Sequence, residues 1–249
     1  MKYPLIKLKY YIVLFKDIVG FIKTPKNEAD LEKSTKFKIY DTIGLYILKL
    51  VCLIPVFLLF AFIEDPKNLT SASMSERFSP LVFLLVGGFI LPLLEEIEFR
   101  LSLKFRPVFL ALSLSGLMYT FLTKAIYHTK ISMVDESFIW RVVLAITFGV
   151  LIFPLINISP VKQRLTQFWS NHFRAIYYLV CIVFAWMHIS KYELNWVNIL
   201  LLPILTLPQL MSAIISGYTR VRFGFEYPLL FHMSTNVLAV GLSLLSNSD

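Results

Sequence analysis

The chain has 249 residues, 57% of them apolar and only 16% charged, with a mean hydropathy of +0.70. That balance excludes a soluble globular enzyme and a disordered chain, and describes an integral membrane protein of one polytopic domain. A net charge of +8 does not point to nucleic acid, because the basic residues flank apolar runs instead of forming an Arg-rich patch. Anionic membrane lipids are the expected partner. The two cysteines, Cys52 and Cys181, fall inside apolar runs and form neither a disulfide framework nor a zinc-type cluster.

In residues 1–23, Lys2, Lys9, Lys16 and Lys23 recur every seven residues and so make one helical stripe. Leu5, Ile12, Phe15, Val19 and Ile22 occupy the rest of the turn, the pattern of an amphipathic helix at an anionic interface. Lys7, Lys9, Lys16 and Asp17 interrupt the apolar stretch, so a cleaved signal peptide is not expected. Thr24 to Lys38 reads as a surface linker, and residues 1–38 are thereby set apart from a transmembrane domain over 39–249.

Apolar runs long enough to cross hydrocarbon are expected near Ile39–Phe62, Ser79–Glu98, Pro107–Leu122, Ser137–Ile156, Arg174–His188, Asn195–Ser216 and Tyr227–Leu245. The fold class is therefore all-α: a helical bundle of about seven spans with an N-terminal amphipathic interfacial helix. With the N-terminus inside, seventeen Lys and Arg fall on the cytoplasmic side and six on the other, Lys49 lying within a span. Pro55, Pro92, Pro154, Pro203 and Pro208 are expected as bends within spans, and Pro92 as an opening of the backbone one turn before Glu95.

Three polar sites interrupt these runs. The first is LPLLEEIEFR, Leu91 to Arg100. A charged side chain near hydrocarbon costs on the order of 2.5 to 3.5 kcal/mol, so such a cluster faces a partner or a water-filled cavity. Glu96 and Arg100 are four apart and can pair, while Glu95 points about 100° away and keeps its lone pairs free. Glu98 lies near the Glu95 face and is expected to meet headgroup water. The second site is Phe184 to His188, where the ring one turn earlier can pack on the imidazole; the third is His232 to Asn236, two polar residues sharing a face. Antiparallel spans bring Glu95 and His232 to similar depths below Arg100 and Tyr227, roughly 7 to 8 Å, whereas His188 lies roughly 21 Å past Arg174.

The motifs EExxxR, FxxxH and HxxxN, in this order, resemble those of the membrane-embedded CPBP or Abi family. That family includes type II CAAX prenyl endopeptidases and relatives of bacteriocin self-immunity proteins. The resemblance covers residues 79–240, and the approach Ser216 to His232, with Gly217 and Gly224, is similar too. Ninety-two residues separate Glu95 from His188, enough for an extra pair of spans. The resemblance implies an intramembrane endopeptidase of a bacterial plasma membrane, N-terminus cytoplasmic, acting on a peptide or protein substrate that is lipid-modified in the eukaryotic branch. It implies that Glu95 is the general base and that His188 holds the attacking water. His232 and Asn236 would stabilise the oxyanion, supported by Glu96, Arg100 and Phe184. A zinc ion on Glu95, His188 and His232 is the competing mechanism; no cofactor is required in the preferred one. A non-catalytic scaffold or self-immunity protein, and less readily a transporter, remain as other functions.

Overall fold

The computed structural model describes residues 4–62, 69–193 and 195–246, and among them all regular structure is helical, with no strand. It is a polytopic helical bundle, and among the described residues six helical stretches are long and apolar enough to cross a membrane. Lys2 and Lys67 lie outside the described residues. Helix α1 covers Leu8–Lys23, α2 Thr35–Phe62 and α3 Leu69–Arg77. Next, α4 (Pro80–Leu85) passes through a π-helical turn at Val86–Ile90 into α5 (Leu91–Phe99). Helices α6 (Pro107–Phe121), α7 (Phe138–Asn157) and α8 (Ser159–Met187) follow, then the short α9 (Trp196–Leu200) and α10 (Leu202–Leu205), and finally α11 (Leu207–Arg222) and α12 (Glu226–Ser246).

Two expected spans are drawn differently. The fifth starts at Ser159, fifteen residues before Arg174, because polarity alone does not end a helix: Pro160 suits the first turn, and no breaker follows it. The sixth, expected as one run over Asn195–Ser216, is three pieces. Asn195 caps α9 by accepting from the Asn198 N–H, and Pro203 and Pro208 stand in the first turns of α10 and α11 instead of bending one span. A proline at a helix start loses no hydrogen bond, which makes starts its lower-cost positions. Pro55 and Pro154 do lie inside α2 and α7.

Contacts between side chains fix the helix directions. Glu96 meets His232 while Gly87 meets Asn236, so α12 runs antiparallel to α5. Glu95 meets His188 while Arg100 meets Phe184, so α8 does too. With α8 and α12 parallel, the chain between them must return across the bundle, and α11, 16 residues long, makes most of that return. Close approach is bought with small residues: Gly87 and Gly88 admit Val240 and Val237 of α12, and Gly217 admits the Tyr177 ring. Gly224, at φ +141°, turns α11 into α12 in a conformation L side chains rarely adopt.

The N-terminal helix keeps its basic stripe outward at Lys9, Lys16 and Lys23 but divides its apolar residues. Leu14 and Ile18 are buried with Leu45, Tyr218 and Phe231, and Phe21 packs edge-on against Tyr177 and Tyr218, while Leu8, Ile12 and Phe15 stay exposed. It is thus docked on the bundle as well as amphipathic. The following linker is tied down, Asp30 N–H donating to Arg222 O at 2.8 Å and Lys33 pairing with Asp41 at 2.7 Å.

A β-carbon at Gly217 would sit 2.6 Å from the Tyr177 ring, too close for either helix to remain in place. Gly217→Val is therefore expected to cost about 1 to 3 kcal/mol, read as a lower unfolding temperature in detergent. An unchanged transition would remove this contact from the α8–α11 interface.

Candidate active site

Helix α5 ends beneath the other helices instead of at a surface. Arg100 is 1% exposed, and its guanidinium carbon lies 3.7 Å from the Phe184 ring centroid. A buried cation needs an anion or a π face, and here it has both: Nη1 is 3.6 Å from Glu96 Oε1 across one helical turn. The expected Glu96–Arg100 pair is present. Its placement removes the depth conflict, since Arg100 does not mark the membrane boundary that the sequence reading assumed. Arg100 lies level with Phe184, ten residues past Arg174 along α8, which brings His188 to Glu95. The end of α5 is sealed by a residue whose role the sequence did not show: buried Arg220 donates to Arg100 O at 3.1 Å and to Leu101 O at 2.9 Å, satisfying carbonyls a helix end leaves open.

Around this anchor the two histidines are pinned through the same ring nitrogen. His188 Nδ1 is 2.7 Å from Phe184 O, a group that only accepts, so Nδ1 carries hydrogen. His232 Nδ1 is 2.8 Å from Glu96 Oε1, and donates to that carboxylate. Both Nε2 atoms are thereby turned to Glu95, at 3.9 Å for His188 and 3.6 Å for His232 from Oε2. Glu95 Oε2 is buried and has no hydrogen-bond partner among the described residues. The Phe184 ring, besides facing Arg100, lies 4.7 Å from the His188 ring and 5.9 Å, edge-on, from that of His232.

Glu95, His188, His232, Glu96, Arg100 and Phe184 are thus brought together. Asn236 is one turn further along α12, and its Nδ2 donates to Gly87 O at 3.1 Å, which orients the amide and ties α12 to the π turn. The backbone does open ahead of Glu95, but in that π turn, where Leu91 N–H reaches back to Val86 O, rather than at Pro92 itself. Glu98 departs from expectation. It is 4% exposed, accepts from Thr120 Oγ1 at 2.7 Å and packs over Gly116, so it does not meet headgroup water. The signal for this was its position three residues after Glu95, which places both acids on one side of the helix.

Glu95, Glu98 and His188 line a cavity of about 600 Å³. A tetrahedral zinc ion with bonds of about 2.0 to 2.1 Å separates its ligand atoms by about 3.3 Å; the separations here are longer, and no group of three His, Cys, Asp or Glu is gathered for a metal among the described residues. No family model, curated protein or solved structure matches this chain.

Removing the Glu96 carboxylate would strand a buried guanidinium and an imidazole N–H together. Glu96→Ala is expected to cost about 3 to 5 kcal/mol, with Glu96→Gln milder because the amide oxygen still accepts from His232. Thermal unfolding of both in detergent checks the order; equal stability of Glu96→Ala and wild type would contradict the anchor.

Proposed function

We propose that the chain is a membrane-embedded endopeptidase in which Glu95 activates the water that attacks a peptide bond. The observation that carries this reading is the convergence of two pinned imidazole Nε2 atoms on one unbonded carboxylate oxygen in a cavity within a lipid-soluble bundle. The ordered resemblance to CPBP motifs supports it independently. Glu95 takes a proton from water as the oxygen adds to the scissile carbonyl. The lone pair on His188 Nε2 accepts the second water hydrogen and fixes its direction. The oxyanion is met by Asn236, whose second amide N–H is left by the bond to Gly87, and by His232, which in its doubly protonated form donates from Nε2 while Glu96 holds Nδ1. As the intermediate collapses, Glu95 returns its proton to the leaving amine. Counting the α11 return, the chain crosses seven times, with α1 and the basic loops on the cytoplasmic side.

Glu95→Gln is nearly isosteric and should lower cleavage at least about 100-fold with stability unchanged. The test compares protein termini in membranes of cells expressing each form at matched levels: termini that depend on Glu95 support the peptidase, and identical termini with both proteins folded would favour a binding or self-immunity role. In the same assay, EDTA should leave cleavage intact. Loss of activity restored by zinc alone would overturn the metal-free mechanism.

A further inference from the structure

The cavity that holds Glu95 has a charge pattern the hydrolytic step does not use. Its floor carries the two carboxyls of α5. Its rim carries four cations from three separate segments: Arg77 at the end of α3, Lys124 and Lys130 in the α6–α7 connection, and Lys191 at the end of the 3-10 turn that follows α8. No carboxylate within 4 Å pairs with any of the four among the described residues, although ion pairs form elsewhere in the chain. Arg77 and Lys130 are instead held by hydroxyls, Arg77 donating to Ser132 Oγ at 3.0 Å and Lys130 to Ser73 Oγ. Lys124 is exposed beside them.

Consecutive helices alternate in direction, so these segments share the end of the bundle opposite α1. Six basic residues are expected on that side in the whole sequence, and four of them stand on this one rim. Concentrating sparse cations at the mouth of a cavity with low-dielectric walls focuses a positive field on whatever enters. Resting on the peptidase reading for its chemistry, we infer that the substrate is a peptide carrying a carboxylate close to the scissile bond, and that it enters from the non-cytoplasmic side. The carboxylate sits at the cationic rim, which orients the segment so that its carbonyl reaches the Glu95 floor. An acidic side chain and a free C-terminus present the same group.

The test uses the full chain as Glu95→Gln in phosphatidylcholine nanodiscs. The probe is one fluorescent apolar decapeptide in four versions, with Asp or Asn flanking its centre and a C-terminal carboxylate or amide. Fluorescence anisotropy should show the version with both acid groups binding at least tenfold tighter than the neutral one, with the difference shrinking as salt rises. The Asp-amide and Asn-acid versions decide which carboxylate matters. Lys124→Gln/Lys130→Gln, at exposed positions that spare the fold, removes two of the four rim cations and should cut the preference at least about threefold while leaving the neutral peptide's affinity unchanged. Equal binding of all four peptides, or a preference undiminished in the double variant, overturns the inference. So does a preference erased by adding phosphatidylglycerol, which would assign the rim to lipid headgroups. Cleavage of the same peptides by wild type is read separately: charge preference without cleavage removes the peptidase reading alone, and cleavage indifferent to charge removes this inference alone.

Discussion

The guanidinium of Arg100 lying on the Phe184 ring is the contact on which the other parts of the site depend. An arginine that is 1% exposed inside an apolar bundle is tolerable only with its charge answered, and the aromatic face and Glu96 answer it together. Glu96, the anion of that pair, is also the acceptor for His232 Nδ1. Phe184 in turn sets the helical turn from which its own carbonyl accepts from His188. Three helices are thereby locked in register by one cation, and two imidazoles are aimed without either touching Glu95 closely. The arrangement separates support from chemistry: one carboxylate of the EE pair is spent on structure, leaving Oε2 of its neighbour without a hydrogen bond among the described residues.

Much of this was legible in the chain. The Glu96–Arg100 pair and the packing of Phe184 on His188 follow from spacings of four residues on helices, and antiparallel spans level Glu95 with His232, while the arrival of His188 beside them did not follow from its depth. Six of the apolar runs are helices of spanning length for the same reason that hydropathy identifies them. What hydropathy does not encode is where a helix begins. Residues 159–173 are too polar to cross a membrane yet contain nothing that breaks a helix, so the observed α8 is one rod of 29 residues. The opposite error affected residues 195–216, apolar enough to suggest a span but punctuated by Pro203 and Pro208. Both prolines suit helix starts, and two starts in six residues leave no room for a continuous helix.

The site features that were not legible are those made by residues distant in sequence with no motif of their own. Thr120 and Gly116 receive Glu98, Arg220 closes the α5 terminus, and Gly87 offers the carbonyl that orients Asn236. Each depends on which helix faces which, and a threonine or glycine in an apolar run carries no sign of its neighbour. Arg100 misled for a related reason. An arginine closing an apolar run ordinarily snorkels to the interface, and only the Phe184 ring on another helix shows that this one does not.

The continuity of α8 has a mechanical side. At 1.5 Å per residue its 29 residues extend about 43 Å, beginning in a half exposed around most of its circumference and ending at the turn that presents His188. No proline or glycine interrupts it after Pro160, so torsion has no hinge at which to dissipate. A rotation applied to the exposed half arrives at His188 as a rotation of the imidazole about the same axis. Glu95 belongs to a different helix, anchored through Arg100 and Arg220, and does not turn with it. The distance between base and histidine is therefore set by the relative phase of two rods, one of which extends well beyond the other and is held along that extension through Trp169.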